Sequence, residues 1–211
     1  MHTENFAALD VGVVILAAGR SVRMGQPKLL LPWGGKSVLG HQLRTWQRLG
    51  AGQIAMVCAV ADAAIRAEVD HLNFPQDARI FNPEPERGMF SSIRCAAQWS
   101  GWRADIARLA VVLGDQPHVR FETLQTLLEF SARHANQVCQ PRASGRLRHP
   151  VILPKEVFAR LRGSAAASLK EFLLAGSLEA AACDSADRGL EFDLDTPADY
   201  QRALALCFPP K

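Results

Sequence analysis

The chain has 211 residues, of which 48% are hydrophobic and 21% are charged, and its formal net charge is +3. This charge is too small to indicate a nucleic-acid or membrane-surface partner, and the length allows one domain with a substantial core. No apolar run is long enough to span a membrane, and we expect no signal peptide, because the N-terminal residues lack its charged and apolar regions. Five scattered cysteines without a C-x-x-C pair favour a reduced, cytoplasmic protein over a zinc site.

The first predicted strand spans residues 11–17 and runs into a loop of small and cationic residues. Its apolar, β-branched sequence is typical of a buried strand. The small residues 17–19 let a ligand approach the backbone and leave its N–H groups free. Arg23 and Lys28 add positive charge close behind. This order predicts a phosphate-binding loop, and an ordinary turn with solvated charges is the alternative.

Strands and helices alternate through residue 135. The next predicted elements are a helix from the N-cap Ser37 to about residue 49, a strand at 54–60, a helix from the cap Asp62 to 72, a strand at 79–81, a helix at 89–99, a strand at 109–113 and a helix at 121–135. This alternation predicts an α/β fold with a doubly wound, mostly parallel sheet. Ligands of such sheets bind beyond the carboxyl ends of the strands.

The pattern changes after residue 136. It predicts a strand at 138–141, a turn, a returning strand at 151–153, helices at 157–161 and 167–174, a half-buried strand at 190–194 and a last helix from Pro197 to about residue 206. We take this part as a smaller, substrate-side portion of the same single domain, 1–211.

Three aspartates are candidates for binding a divalent cation. Asp115 closely follows the strand at 109–113 and is expected to point into the cleft, where Mg²⁺ needs only one or two carboxylates besides phosphates. A turn aspartate that bonds its own backbone is the alternative. Asp193 and Asp195 lie two apart at the end of a predicted strand, and residues two apart on a strand share a face, so both carboxylates could point at one site. Asp195 either binds the metal or caps the last helix.

The loop after the first strand resembles the signature L-A-x-G-x-S-x-R-M-G-x-x-K of nucleotidyltransferases with a Rossmann-like α/β fold. The matching residues are Leu16, Ala17, Ala18, Gly19, Ser21, Arg23, Met24, Gly25 and Lys28. The continuation QPKLLLP is most similar to the molybdenum-cofactor cytidylyltransferase branch of this MobA-like family. The resemblance implies a three-layer fold like that of nucleotide-diphospho-sugar transferases (GT-A-like), with a nucleotide-binding half at about 11–135 and an acceptor-binding half at about 136–211.

The resemblance also implies roles for individual residues. Lys28 and Arg23 would neutralise a triphosphate, while the backbone of residues 16–19 would hold the nucleotide. Mg²⁺ would bind Asp115 together with Asp195, for which Asp193 is the rival. The stretch from Asn82 to Ser92 matches the family's N-P-x-x-x-x-G-M-x-x-S loop, in which Asn82, Gly88 and Ser92 would line the base and ribose pocket.

The acceptor side matches the family less well. His149 belongs to a match to the motif G-H-P-V, in which Arg148 replaces the usual glycine. Both residues are candidates for binding the acceptor, but the arginine leaves the acceptor's identity open. The family's G-D-x-G-A-R motif is absent, because residues 163–168 read GSAAAS.

The resemblance implies transfer of a nucleoside monophosphate from an NTP, CTP in this branch, to molybdopterin with release of pyrophosphate. A client molybdoenzyme or its chaperone is the implied protein partner. Guanylyl transfer, transfer to a sugar phosphate, and a non-catalytic nucleotide-binding role beside a molybdoenzyme are the alternatives.

Overall fold

The computed structural model describes residues 10–21, 23–178 and 180–209. In this part the strands are β1 Val11–Ala17, β2 Pro32–Trp33, β3 Lys36–Ser37, β4 Gln53–Ala59, β5 Arg79–Asn82, β6 Arg108–Leu113, β7 Val138–Ala143, β8 Arg146–Leu147, β9 Val151–Pro154 and β10 Ala180–Asp184. The helices are α1 Val38–Arg48, α2 Ala63–His71, α3 Met89–Gln98, α4 Phe121–Arg133, α5 Lys155–Arg160, α6 Leu169–Ala175 and α7 Pro197–Cys207. None of these helices combines the length and the apolarity that crossing a bilayer requires.

One mixed sheet forms the middle layer. Its strand order is β10-β7-β9-β6-β1-β4-β5, with β8 paired to β7, while β2 and β3 form a separate small hairpin. The pairs β6-β1, β1-β4, β4-β5 and β10-β7 are parallel, and β9 runs antiparallel to both of its neighbours. Strand β1 lies in the middle and is buried at every position. The predicted α/β fold with a mostly parallel sheet is therefore confirmed.

Helices cover both faces of the sheet and make the fold three-layered. Apolar side chains of α1, α2, α4 and α7 join one buried cluster, and those of α3, α5 and α6 join the other. Two predicted helix caps are present: the Ser37 side chain accepts a hydrogen bond from Gly40 N, and the Asp62 side chain accepts one from Ile65 N. These caps fix where α1 and α2 begin.

The prediction of a strand at residues 190–194 is wrong. Residues Arg188–Glu191 form a 3-10 turn, and the edge strand is β10, which pairs with β7. The turn is fixed by the buried side chain of Asp187, which accepts hydrogen bonds from Gly189 N, Arg120 N and Thr123 Oγ1. The alternating pattern arises because Leu190 and Leu194 are anchored in the core on either side of a non-strand segment.

The alternative that Asp195 caps the last helix is also wrong. Thr196 is the N-cap of α7, and Asp199 completes a capping box with it. The carboxylate of Asp195 is therefore not used by the helix end and faces Arg23 and Lys28 instead.

Candidate active site

A hollow of about 300 Å³ lies at the carboxyl ends of β1 and β6. Its lining combines the loop after β1, the segment before α3, the end of β6 and the approach to α7: Leu16, Ala18, Gly19, Arg20, Lys28, Leu29, Pro85, Gly88, Met89, Ser92, Leu113, Gly114, Asp115 and Asp193. The position is the one at which parallel α/β sheets bind ligands.

Gly114 joins the two strands that carry the hollow. Its N–H donates a 3.1 Å hydrogen bond to the carbonyl oxygen of Leu16. A Cβ atom at this position would lie 2.7 Å from that same oxygen, and so any larger residue would force the two strand ends apart. The glycine therefore sets the distance between the β1 loop and Asp115.

Lys28 and Asp115 meet in the hollow. The Nζ of Lys28 contacts Oδ2 of Asp115 and lies 3.1 Å from Oδ1 of Asp195, and only 12% of its side chain is exposed. Its backbone N–H donates to Ser21 Oγ at 2.9 Å, which fixes the start of the 3-10 turn. Burial acts to lower the pKa of Lys28, but the two carboxylates outweigh it and raise the pKa above its usual value. Lys28 therefore stays charged at neutral pH.

Arg23 approaches the same acidic group from the solvent side. Its Nη2 lies 2.7 Å from Oδ2 of Asp195, and its side chain is 71% exposed. An exposed pair of this kind contributes little to stability, and so Arg23 can exchange its carboxylate for a ligand's phosphate at small cost. Asp195 does not itself line the hollow, but it bonds both predicted phosphate-binding cations.

Asp193 lines the hollow beside Asp115. Burial, together with the charges of Asp115 and Asp195, raises its pKa, whereas a 2.7 Å hydrogen bond from Gln116 Nε2 and the charge of Lys28 act in the opposite direction. Gln116 is itself buried. Burial is the main cause of this raised pKa, and the two neighbouring carboxylates add to it.

His118 supports the segment that carries Asp193. Its ring stacks on Phe192 with 4.3 Å between the centroids, and its Nε2 lies 2.9 Å from the carbonyl oxygen of Phe192. No motif in the sequence indicates a role for Gln116 or His118. Their place after Gly114 and Asp115, at a strand end, is the signal that makes them candidates for positioning.

The acidic groups suit a hard divalent cation. Carboxylate oxygens are the ligands that Mg²⁺ and Mn²⁺ prefer, and one or two of them suffice when phosphates supply the rest. Within residues 10–21, 23–178 and 180–209, no three acidic, histidine or cysteine side chains form a group that could hold a metal ion unaided. The arrangement fits a cation that arrives with its phosphate ligand.

The segment from Asn82 to Ser92 separates into two parts. Gly88, with a φ of 86°, and Ser92 line the hollow. Asn82 does not line it, because its buried amide points into the protein, where Nδ2 donates to Ser91 Oγ and Ser92 Oγ at 2.8 and 2.9 Å. Its Oδ1 accepts from Glu84 N at 2.9 Å. Asn82 therefore orders the segment instead of offering polar atoms to the hollow.

The other predicted residues lie outside the lining. Ala17 is fully buried in β1, while its neighbours Leu16, Ala18 and Gly19 reach the hollow. Arg148 and His149 do not line the hollow either. Burial lowers the pKa of His149 to about 4, although the negative charge of Asp115 acts to raise it. In the chain, His149 stands two positions before the start of β9.

Comparison with known proteins identifies the family of the chain. The model of the MobA-like NTP transferase domain matches residues 13–181. The bifunctional protein GlmU of Cereibacter sphaeroides is 35% identical over 133 residues, which are 59% of this chain and 27% of that protein. The chain thus spans about a quarter of the length of the curated relatives that it matches.

Solved structures of similar proteins cover nearly the whole chain. Rv0371c of Mycobacterium tuberculosis is 28% identical, with a TM-score of 0.70 over 92% of this chain and 96% of that one. Its complex with manganese aligns at 25% identity and a TM-score of 0.67, over 92% and 97% of the two chains. Molybdopterin-guanine dinucleotide biosynthesis protein A of Archaeoglobus fulgidus shares the fold at 18% identity and a TM-score of 0.64, over 93% and 98%. The family match covers most of the chain, including the β1 loop, Lys28 and Asp115, and so the chain belongs to the MobA-like NTP transferase family.

Proposed function

We propose that the chain is a nucleotidyltransferase that transfers a nucleoside monophosphate from an NTP to a phosphorylated acceptor. The observation that carries this proposal is the contact between Lys28 and Asp115 in the hollow beyond β1 and β6. Lys28 would bind the phosphates of the NTP, and Asp115 would bind the metal ion that accompanies them. The family match adds weight to it.

The reaction would need positioning and charge stabilisation but no protein nucleophile. Lys28 holds the triphosphate from within the hollow, and Arg23 closes on it after leaving Asp195. Backbone N–H groups of Ala18 and Gly19 approach the phosphates, because no side chain blocks the space around Gly19. These groups stabilise the charge that moves from the α-phosphate to the departing pyrophosphate.

The residues that would hold the metal are Asp115 and one of the two later aspartates. We propose Asp195 as the second ligand, with Asp193 as the rival that lines the hollow directly. When bound, Mg²⁺ or Mn²⁺ supplies Lewis-acid charge to the phosphate oxygens. Asp195 would then be released from Lys28 and Arg23, which turn to the phosphates.

Ser92 would bind the nucleotide base through a hydrogen bond from its hydroxyl group. The amide of Asn82 is oriented by Glu84 N, and so its two N–H hydrogens go to Ser91 Oγ and Ser92 Oγ. Ser91 Oγ donates onward to the carbonyl oxygens of Glu84 and Gly88. Ser92 Oγ has no acceptor among the described residues, and so its proton is available to the hollow. This hydroxyl group can donate a hydrogen bond to a carbonyl oxygen or an imine nitrogen of the nucleotide base.

For the substrates we propose CTP and molybdopterin. Ala18 in the loop and the Gly-Asp-Gln-Pro run support the cytidylyl branch. Arg148 and His149 would approach the acceptor from the β9 side. Because of its low pKa, His149 is neutral at pH 7 and would act as a hydrogen-bonding group and not as a cation.

A pyrophosphate-release screen tests this function. Each of the four NTPs is combined with molybdopterin and with a set of sugar phosphates, in Mg²⁺ and in Mn²⁺. We expect release with CTP and molybdopterin, loss of it in Asp115→Asn, and full activity in the control Asp77→Asn, whose carboxylate is exposed and does not line the hollow. Release with GTP or with a sugar phosphate would reassign the substrates. Tight NTP binding without release for any acceptor would support the non-catalytic alternative.

A further inference from the structure

A second cavity lies on the other side of the segment that precedes α3. This groove, which we call the α3 groove, has a volume of about 890 Å³ and is therefore larger than the hollow. It is bounded by β5, by the outer side of α3 and by the three alanines at 165–167. These alanines stand where the family's G-D-x-G-A-R motif is absent, and their small side chains leave the groove wide.

Arg94 lines the groove without a partner. Its guanidinium makes no hydrogen bond and no ion pair with any residue in the described part of the chain, and its Nε is buried. A buried, unsatisfied donor on a permanently charged group is costly unless an anion or water completes it. Arg94 therefore brings to the groove a guanidinium that has no ion-pair partner among the described residues, while the carboxylate of Glu84 belongs to the same lining.

Arg87 supplies a second guanidinium to the same groove. Its partner is Glu84, at 2.9 Å, and both side chains are more than half exposed. Such a pair contributes little, and so Arg87 can turn to a ligand at low cost. Arg94 and Arg87 together offer two guanidiniums to a phosphate monoester, which carries a charge of about −2 at neutral pH.

The rest of the groove is partly apolar. Phe81 is 46% exposed in it, and the partly buried Trp99 also lines it. An aromatic side chain left open beside a cation favours a ligand that has a flat apolar part next to its charge.

The groove and the hollow are separate sites that share one wall. The two cavities lie on opposite sides of the same segment, since Ser91 lines the groove and its neighbour Ser92 lines the hollow. We propose that the α3 groove is a second ligand site, which binds a small aromatic or otherwise flat phosphate monoester through Arg94 and Arg87.

Calorimetric titration with phenyl phosphate at low ionic strength tests this proposal, with inorganic phosphate and phenol as comparison ligands. We expect saturable one-site binding at the groove that is tighter for phenyl phosphate than for either comparison ligand. Arg94→Gln should weaken it about tenfold or more, the effect of losing a charge-assisted hydrogen bond. Arg44→Gln, which removes the same charge from an exposed position of α1, should leave it unchanged.

A Lys28→Gln variant separates the groove from the hollow. Binding that persists in Lys28→Gln and weakens in Arg94→Gln supports the proposal. Binding that is lost in Lys28→Gln but kept in Arg94→Gln would place the probe in the hollow and overturn it. Absence of saturable binding, or equal affinity for inorganic phosphate, would overturn it as well.

Discussion

The Nε2 of Gln116 donates a 2.7 Å hydrogen bond to Oδ1 of Asp193, which joins the end of β6 to the segment that leads into α7. These two residues are 77 positions apart. The bond is the only one in the described part of the chain that the Asp193 carboxylate accepts, and it favours the charged form of a group whose pKa burial and neighbouring carboxylates raise.

Removal of this bond should shift the pH dependence of activity. In Gln116→Ala, the pKa of Asp193 rises further, because the group that favours its charged form is gone. If the ionised carboxylate serves the reaction, the acid limb of kcat/KM moves to higher pH. Gln47→Ala, an exposed change on α1, is the control. An unchanged acid limb with a uniformly lower rate would assign Gln116 a packing role only.

Lys28 should stabilise the free protein as well as bind phosphate. Lys28→Gln leaves Asp115, Asp193 and Asp195 without the ammonium between them, and we expect the free energy of unfolding to fall by about 2 kcal/mol. Adding Asp193→Asn should restore part of this loss, because it removes one of the repelling charges. Urea denaturation at pH 7 measures both effects. A single variant as stable as the parent would contradict this account of the charge cluster.

Gly114 should tolerate no side chain. In Gly114→Ala, the new Cβ would lie 2.7 Å from the backbone oxygen of Leu16. We expect a loss of about 1–3 kcal/mol in stability and a larger proportional loss of activity, since the strand ends that carry the site must separate. Gly163→Ala is the matched control, because no atom lies within 4 Å of its added Cβ. Equal stability of the two variants would refute the steric argument.

Burial of His149 should make stability depend on pH. Its folded pKa of about 4 lies below its ordinary value of 6.5. Because the unfolded chain takes up the proton first, stability is fully present above pH 6.5 and is lost as the pH falls towards 4. His149→Asn should remove this loss, which amounts to about 3 kcal/mol in the parent, whereas the exposed His71→Asn should leave it unchanged. Denaturant titrations across this range measure the difference.

Much of the fold follows from local pattern. The β1 boundaries, the caps Ser37 and Asp62, and the helices through α4 arise from residues that are near each other in the sequence, and these predictions agree with the structure. The incorrect predictions lie where contacts between segments that are distant in the sequence determine the secondary structure. The weakly patterned β10 is a strand because β7 offers it an edge, and residues 190–194 are held out of the sheet by Asp187.

The same division applies to the site. The position of Lys28 and Asp115 after parallel strands predicts that they share one cleft, and the hollow contains both. The inward turn of Asn82 and the bond from Gln116 to Asp193 depend on tertiary contacts that no local pattern records. The roles of these residues in binding and transfer stay predictions.

The measurement that tests the central claim most directly is calorimetric binding of CTP with and without Mg²⁺. We predict that Mg²⁺ strengthens CTP binding to the parent protein and that this gain disappears in Asp115→Asn. Lys28→Gln should weaken binding about tenfold or more in both conditions, because it removes a charge-assisted contact to phosphate. Unchanged CTP affinity in both variants would contradict the assignment of this hollow as the triphosphate and metal site.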